Sequence, residues 1–303
     1  MAFKLNETII LHTPGGRAYP LHTPPARTVL QDEGLGMPPI EYVSDRSPFQ
    51  HGATLRTFHI APRVIQLVVL HNFCSREEYW EGRNALINVL RPMSFPVPPP
   101  PSTLVYNMGR GRRRALSVHI ESGPGFTPKD GWQEWSFTEA LRFIAYDPIW
   151  FDPARRSQTM LPLAPTTDLV FPATFPIVFS ESAGMMSRII YQGTWIEYPT
   201  VAVTGPITGF ELENTTFGQS IGLSDPVPEG YTVTFELHGL KTVTGSDGQN
   251  WLNRVSPDSE LSSFAIRPAP AAPGGVNEFH IGGTGTNAQT RVVVSFFERY
   301  IGI

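Results

Sequence analysis

His71 and Cys74 stand three residues apart, just ahead of a segment that reads as a helix. A helix N-terminus lowers a thiol pKa, so this is the place where a Cys–His nucleophile is conceivable. A lone cysteine in such a setting is more often a small buried hydrophobe. No Gly-x-Ser-x-Gly elbow offers a hydrolase instead. Glu211 and Glu213 alternate onto one face of a strand, as the carboxylates of a glycosidase would, although paired carboxylates near strand ends are usually just solvated. The histidines at 12, 22, 51, 59, 71, 119, 238 and 280 are scattered. With no His-Glu-x-x-His, Cys-x-x-Cys or acidic calcium loop, the sequence supports neither a metal site nor a cofactor. The expectation is a protein that is not an enzyme.

Binding chemistry is equally sparse. Arg110, Arg112, Arg113 and Arg114 form the one basic cluster, and it could touch nucleic acid or an acidic partner. Gly109 and Gly111 favour a solvated hairpin turn, and no aromatic residue interleaves with the arginines as a stacking platform would. Trp195, Tyr198 and Trp251 could line a sugar-binding face or pack in a core. Net charge is −4, with 15 basic against 14 acidic residues in 1–152 and 8 against 13 in 153–303, so neither half is a basic nucleic-acid module. Of the 23 basic residues 20 are Arg, which suits interface ion pairs but equally reflects genome composition.

The elements that must position these residues are mostly strands. Apolar residues are 41% and charged residues 17% of the chain, the latter below the roughly 25% of soluble domains, so other protein is expected to cover part of the surface. One cysteine excludes an internal disulfide and fits a reducing compartment. The N-terminus has no signal-peptide apolar run, and no stretch approaches the roughly 20 apolar residues of a membrane span, so a soluble, cytoplasmically made chain is expected.

Residues 64–70 (VIQLVVL) read as a buried strand. Ser75 and Glu78 form a capping box for a helix over 76–91, with Tyr79, Leu86 and Leu90 on its core face, Gly82 weakening it and Pro92 ending it. Strands around 103–108 and 115–120 follow. A strand over 135–145, irregular at Thr138–Ala140, closes at Asp147–Pro148. Beyond it, prolines without periodicity mark a linker. Eight further strands, 177–181, 186–193, 200–205, 210–216, 219–224, 231–239, 241–250 and 291–303, have the spacing of a β-sandwich. The expected plan is a first domain over 1–153, a linker over 154–171 and a second domain over 172–303.

The order of these features resembles the siphophage distal tail protein, or Dit, family. GLGMPPIEYVSDRSPFQHG (34–52), the central strand, the capped helix ending in LRP, the strand pair and AYDPIW (145–150) are similar to its first domain. FPATFPIVFS (171–180), YPTVAVTGPITGFELENTTFGQSIGL (198–223), YTVTFELHG and SDGQN are similar to its second. One departure is Tyr191-Gln192-Gly193-Thr194, where the family often has Asn-x-Gly-Asp.

The resemblance implies a mainly β fold: an N-terminal β-sandwich or split-barrel-like domain with one α-helix, then a C-terminal galectin-like β-sandwich. It also implies a homohexameric ring at the tail tip, assembled in the host cytoplasm. Such a ring joins the tail tube protein to the tail-tip hub (tail-associated) protein and passes the tape measure protein and DNA as cargo, with no membrane partner and no cofactor. Leu35, Gly36, Pro38, Pro39, His51 and Gly52 are the expected ring or partner contacts. Arg110, Arg112, Arg113 and Arg114 are the expected lumen or partner-contact turn. The rival reading is a carbohydrate-binding β-sandwich module serving adsorption to the host surface.

Overall fold

The computed structural model describes residues 7–92, 97–126, 135–161 and 186–303. The chain divides into two units, Met1–Pro153 with Tyr300–Ile303, and Ala154–Arg299.

The first unit contains β1 (Thr8–His12), β2 (Ala18–His22), β3 (Arg27–Glu33), β4 (Ile40–Asp45), β5 (Thr54–Ile60), β6 (Arg63–Asn72), α1 (Arg76–Leu90), β7 (Ser102–Asn107), β8 (Arg113–Ser122), β9 (Ser136–Ala145) and β10 (Trp150–Phe151). Its main sheet is antiparallel in the order β2-β1-β7-β8-β9-β6-β3. β3 returns beside β2 through a bridge between Thr23 and Arg27, and the Val29 amide donates to His22 Nδ1 at 3.1 Å. That side-chain acceptor satisfies an amide beside the bulge that interrupts β3 between Val29 and Gln31. The sheet thus curls towards a split barrel without closing.

The helix forms as the sequence predicts. Ser75 Oγ accepts from the Glu78 amide at 3.2 Å, and Glu78 Oε2 accepts from the Cys74 amide at 3.0 Å, so the reciprocal cap reaches one residue further back than a standard capping box. Gly82 is a packing requirement as well as a helix weakener, because the Phe73 ring occupies the space a Cβ would need. Leu86 and Leu90 are buried, Tyr79 is half-buried, and Trp80 and Ile87 are exposed.

β9 pairs with β6 without a register shift from Arg63↔Ala145 to Asn72↔Ser136, so the expected irregularity at Thr138–Ala140 does not exist. The residue that interrupts the apolar row, Glu139, points inward and is buried. After β9 an Asp147 side chain accepts from the Ile149 amide at 3.4 Å, and the fully buried Trp150 starts β10.

The second unit contains β11 (Arg156–Met160), β12 (Met186–Ile190), β13 (Thr200–Thr204), β14 (Thr208–Asn214), β15 (Gln219–Gly222), β16 (Thr232–Glu236), β17 (Thr242–Gly245), β18 (Val276–Thr284) and β19 (Arg291–Phe296). Two antiparallel sheets, β11-β19-β13-β16-β17 and β12-β18-β14-β15, share one core. Val201, Phe235 and Val294 from the first sheet meet Leu212, Ile221 and Phe279 from the second, which is the layering of a β-sandwich. A last short strand, β20 (Arg299–Tyr300), leads the chain back to the first unit and pairs with β10.

Three sequence expectations change here. Residues 156–160 of the expected linker are strand β11, laddered to β19 from Arg156↔Phe296 to Met160↔Val292. Its side chains are exposed except Met160, so no hydrophobic periodicity announces it. The strand expected over 291–303 stops at Phe296, and Tyr300–Ile303 group with the first unit. Strands β1, β2, β3 and β10, the hairpin β4–β5 and strand β18 arise where no strand was expected. Residues 162–171 of the linker, the 177–181 strand and the whole FPATFPIVFS segment lie outside the described residues.

Candidate assembly surfaces

The hairpin β4–β5 is a two-stranded sheet of its own. It pairs Ile40↔Ile60, Tyr42↔Phe58 and Val43↔Thr57, then Ser44↔Leu55 after a bulge. One face therefore carries Ile40, Ile60, Tyr42 and Phe58, and the other Val43 and Leu55. Residues 41–49 and 51–59 are all exposed, including Tyr42 at 66%, Leu55 at 60% and Phe58 at 49%. Gln50 knits the loop through bonds to the Ser47 amide at 3.1 Å and to Thr54 Oγ1 at 2.9 Å, and Phe49 stands at the tip with φ of 67°. An isolated two-stranded hairpin is marginal in water, and apolar residues on both faces of one are a surface for a partner.

The segment before the hairpin behaves differently. Leu35 and Pro38 are turned into the unit, and Gly36 and Pro39 are exposed, as are His51 and Gly52 on the hairpin loop. The cause is Arg63, the first residue of β6, which is 1% exposed. Its Nη1 donates to the carbonyls of Gly34 (2.9 Å), Leu35 (3.1 Å) and Gly36, its Nε to Pro148 (2.9 Å) and its Nη2 to Ile301 (2.7 Å). The guanidinium also lies 5.6 Å from the Trp150 ring centroid. Burial draws its pKa down to about 10, still far above neutral, so a full charge is held by backbone carbonyls. Sequence reasoning missed this residue; the available signal was an arginine opening an otherwise apolar strand.

A groove of about 1220 Å³ opens in the same unit by the C-terminal end of α1. Leu11, Val89, Ile120 and Tyr146 line it, Pro98–Pro101 wall it, and Arg17 and Arg91 border it. Tyr146 is 67% exposed and stacks edge-on with His119, with centroids 5.7 Å apart.

The basic turn joins β7 to β8. Gly109, Arg110 and Gly111 all have positive φ, and the Arg112 amide donates to the Gly109 carbonyl at 3.1 Å. Arg110, Arg112 and Arg113 are exposed. Arg114 is committed to its own unit, with its guanidinium 3.4 Å from the Tyr300 ring centroid.

The candidate chemistry does not assemble. His71 is completely buried, stacked on Phe137 at 4.6 Å, and burial with the nearby Arg27 charge lowers its pKa to about 3. Cys74 is exposed. Glu211 and Glu213 share the outer face of β14, where Glu211 is exposed and Glu213 half-buried. Among the described residues no group of three or more His, Cys, Asp or Glu is placed to hold a metal ion, and no helix is long and apolar enough to cross a membrane.

Of the aromatic trio, Trp251 is 4% exposed and donates through Nε1 to Tyr231 Oη at 3.1 Å, while Tyr198 packs on the core beneath Lys241. Trp195 belongs to the turn after Tyr191. The Tyr191 hydroxyl donates to its carbonyl at 2.8 Å, and the Trp195 amide donates to the Arg299 carbonyl at 3.1 Å. Gly193 is obligatory in that turn, since a Cβ would collide with the Tyr191 hydroxyl and stand 2.6 Å from the Arg299 carbonyl.

No protein-family model matches the sequence, and no curated protein is similar enough to match it. Solved structures do match. The Dit protein of phage SPP1, described as a paradigm of the hub adsorption apparatus of phages infecting Gram-positive bacteria, aligns over 97% of this chain and 98% of its own, with a TM-score of 0.65 at 12% identity. The chain has the Dit fold. A chain of the phage P2 baseplate in its activated conformation with Ca aligns over 95% of this chain and 97% of its own, with a TM-score of 0.50 at 10% identity. The strontium form of that baseplate gives the same values. The likeness spans both units, so the succession of two β units is itself a Dit feature.

Proposed function

We propose that this chain is a structural protein of a phage tail tip. In this reading the first unit forms a homohexameric ring that joins the tail tube to the tail-tip hub and lets the tape measure and DNA pass. The second unit is a galectin-like sandwich carried by that ring, and assembly occurs in the host cytoplasm. The observation that carries the reading is the likeness to a Dit protein over nearly the whole length of both, 97% of this chain against 98% of that one. The exposed hairpin supports it independently, because a hairpin with apolar residues on both faces calls for a protein partner. Arg110, Arg112 and Arg113 then serve as a partner-contact or lumen turn, giving weak, salt-sensitive contact with polyanions.

Native mass spectrometry and negative-stain microscopy of the concentrated protein test the reading. Six-membered rings, or rings formed on adding tube or hub protein, are expected. A chain that stays monomeric alone and with both partners overturns it. Host attachment by sugar binding gains no observation here, since Trp251 and Tyr198 are spent on packing.

A further inference from the structure

Tyr300–Ile303 belong to the first unit, although the whole of the second, Ala154–Arg299, stands between them and Pro153. A ribosome therefore delivers the rest of the first unit before these four residues, and units of a chain fold in the order of their synthesis. The main sheet does not wait for them, because Leu67, Leu104, Leu116, Leu141 and Phe143, from β6 to β9, already form one buried cluster. The four residues fill a slot beside it. β20 pairs with β10, Tyr300 packs half-buried against that cluster, and the Arg114 guanidinium covers its ring. The Ile301 carbonyl accepts from Arg63 Nη2 at 2.7 Å. At Gly302 the backbones run so close that a Cβ would stand 3.0 Å from the Gly36 carbonyl oxygen and 3.4 Å from the Met37 nitrogen. None of the four side chains is charged, so the slot is one for a short, extended, neutral peptide.

The other side of the slot is the root of the hairpin β4–β5. From Gly36 and Met37 the chain passes through two prolines, which hold it stiff, into Ile40. The Ala61 amide closes the root by donating to the Pro39 carbonyl at 3.0 Å. Arg63 grips both sides at once, with Nη1 on the carbonyls of Gly34, Leu35 and Gly36 and Nη2 on that of Ile301. A two-stranded hairpin is marginal in water by itself, so its order depends on how its root is held.

We propose that Tyr300–Ile303 is a latch bound in cis: it docks after the sheet has folded, and its docking fixes the root of the hairpin. A chain whose second unit is unfinished then carries a folded sheet and a loose hairpin. Resting on the tail-tip reading above, in which the hairpin is a partner surface, the latch keeps unfinished chains out of the assembly.

Hydrogen–deuterium exchange tests it on a chain ending at Arg299 and on full-length Gly302→Val, whose branched side chain cannot share the space beside Gly36. Where the shorter chain does not fold, Gly302→Val decides. The Ala61 amide and the amides of 40–45 and 54–60 should exchange about tenfold faster or more than in the wild type, as a locally opened element does. Those of β6, β8, β9 and the second unit should keep their protection. Both proteins should also fail to join complexes with tube or hub protein that the wild type joins.

Wild-type exchange at the hairpin of Gly302→Val, or loss of protection throughout β6–β9, overturns the latch and leaves the tail-tip reading standing. A loose hairpin in a variant that assembles as well as the wild type overturns the gating. A wild-type chain that joins neither tube nor hub protein sinks the tail-tip reading, and the exchange result still decides whether the tail fixes the hairpin.

Discussion

Arg63→Met is the substitution whose consequence the structure predicts most sharply. Methionine keeps an unbranched chain of similar length against Trp150 but removes all five hydrogen bonds. The bonds to Leu35 and Pro148 lie in buried surroundings, while those to Gly34, Gly36 and Ile301 are part-buried and can be taken up by water. Two orphaned buried acceptors cost about 1–3 kcal/mol each. Removing a charge that was itself expensive to bury returns some of this. The expected net loss is roughly 2–5 kcal/mol. In a unit of this size each kcal/mol moves Tm by about 2–4 °C, so the first unit should melt about 4–20 °C lower.

Calorimetry, with tryptophan fluorescence as a second probe, tests this, and the two units are expected to melt in separate transitions. The transition of the second unit should not move. Arg63→Lys should fall between, because a point charge with three donors cannot span carbonyls contributed by residues 34–36, 148 and 301. An Arg63→Met protein melting within 2 °C of the wild type, or a lysine variant indistinguishable from it, would refute the idea that this fork of hydrogen bonds ties the unit together.

Three further outcomes are expected. His71 is held neutral in the folded chain down to about pH 3, whereas the unfolded chain protonates it near 6.5, so the unfolded state binds more protons between those values and stability falls as pH drops through that window, by at most about 5 kcal/mol. His71→Phe, which preserves stacking on Phe137, should flatten the acid limb of a Tm-versus-pH curve; Glu139 works in the opposite sense, since burial raises its pKa and costs stability as pH rises above its unfolded value, so Glu139→Gln should flatten that effect instead. Leu86→Ala, at a side chain with no exposed surface, should cost about 2–5 kcal/mol in urea denaturation of the first unit, and an unchanged midpoint would mean that α1 does not pack through this face. Gly193→Ala should lower the Tm of the second unit through an overpacking penalty of about 1–3 kcal/mol while leaving the first unit untouched.

What could be read in the sequence follows from which physical signals are local. β6 was legible because an apolar run can hardly be anything but a buried strand, and α1 because Ser75, Glu78 and Pro92 punctuate it within a few residues. β4, β5 and β11 were not, because their side chains are mostly exposed and a ladder of backbone bonds leaves no hydrophobic period to detect. β18 was hidden by its own core residue: Asn277 points inward, fully buried, and accepts from the Arg267 amide while donating to the Arg267 and Gly275 carbonyls. In the sequence that asparagine reads as a turn. Glu139 concealed the continuity of β9 in the same way. At the assembly surface, the 34–52 segment was singled out, but residue type alone could not divide it into inward Leu35 and Pro38 and the exposed hairpin. That division is made by Arg63, whose partners are 27 to 29, 85 and 238 residues away.

The arginine bias acquires a physical reason from the same geometry. Besides Arg63 over Trp150, guanidinium groups lie over rings at Arg27–Tyr19 (4.6 Å), Arg83–Phe126 (4.0 Å), Arg114–Tyr300 (3.4 Å), Arg155–Phe297 (5.9 Å), Arg254–Trp251 (4.4 Å) and Arg267–Phe217 (4.7 Å). A planar, weakly hydrated guanidinium can stack on a ring and still donate in its own plane, which a compact ammonium cannot. Arg83 does both, bonding the Tyr79 hydroxyl at 2.9 Å while covering Phe126. Genome composition accounts for an excess of arginine codons but not for their repeated placement against aromatic rings in both units. Arg110, Arg112 and Arg113 are exposed and have no such ring, and they sit on or beside a turn in which Gly109, Arg110 and Gly111 all have positive φ. Exposed guanidinium groups without a ring, at Arg17 and Arg91 as on this turn, keep their in-plane donors for water or a partner.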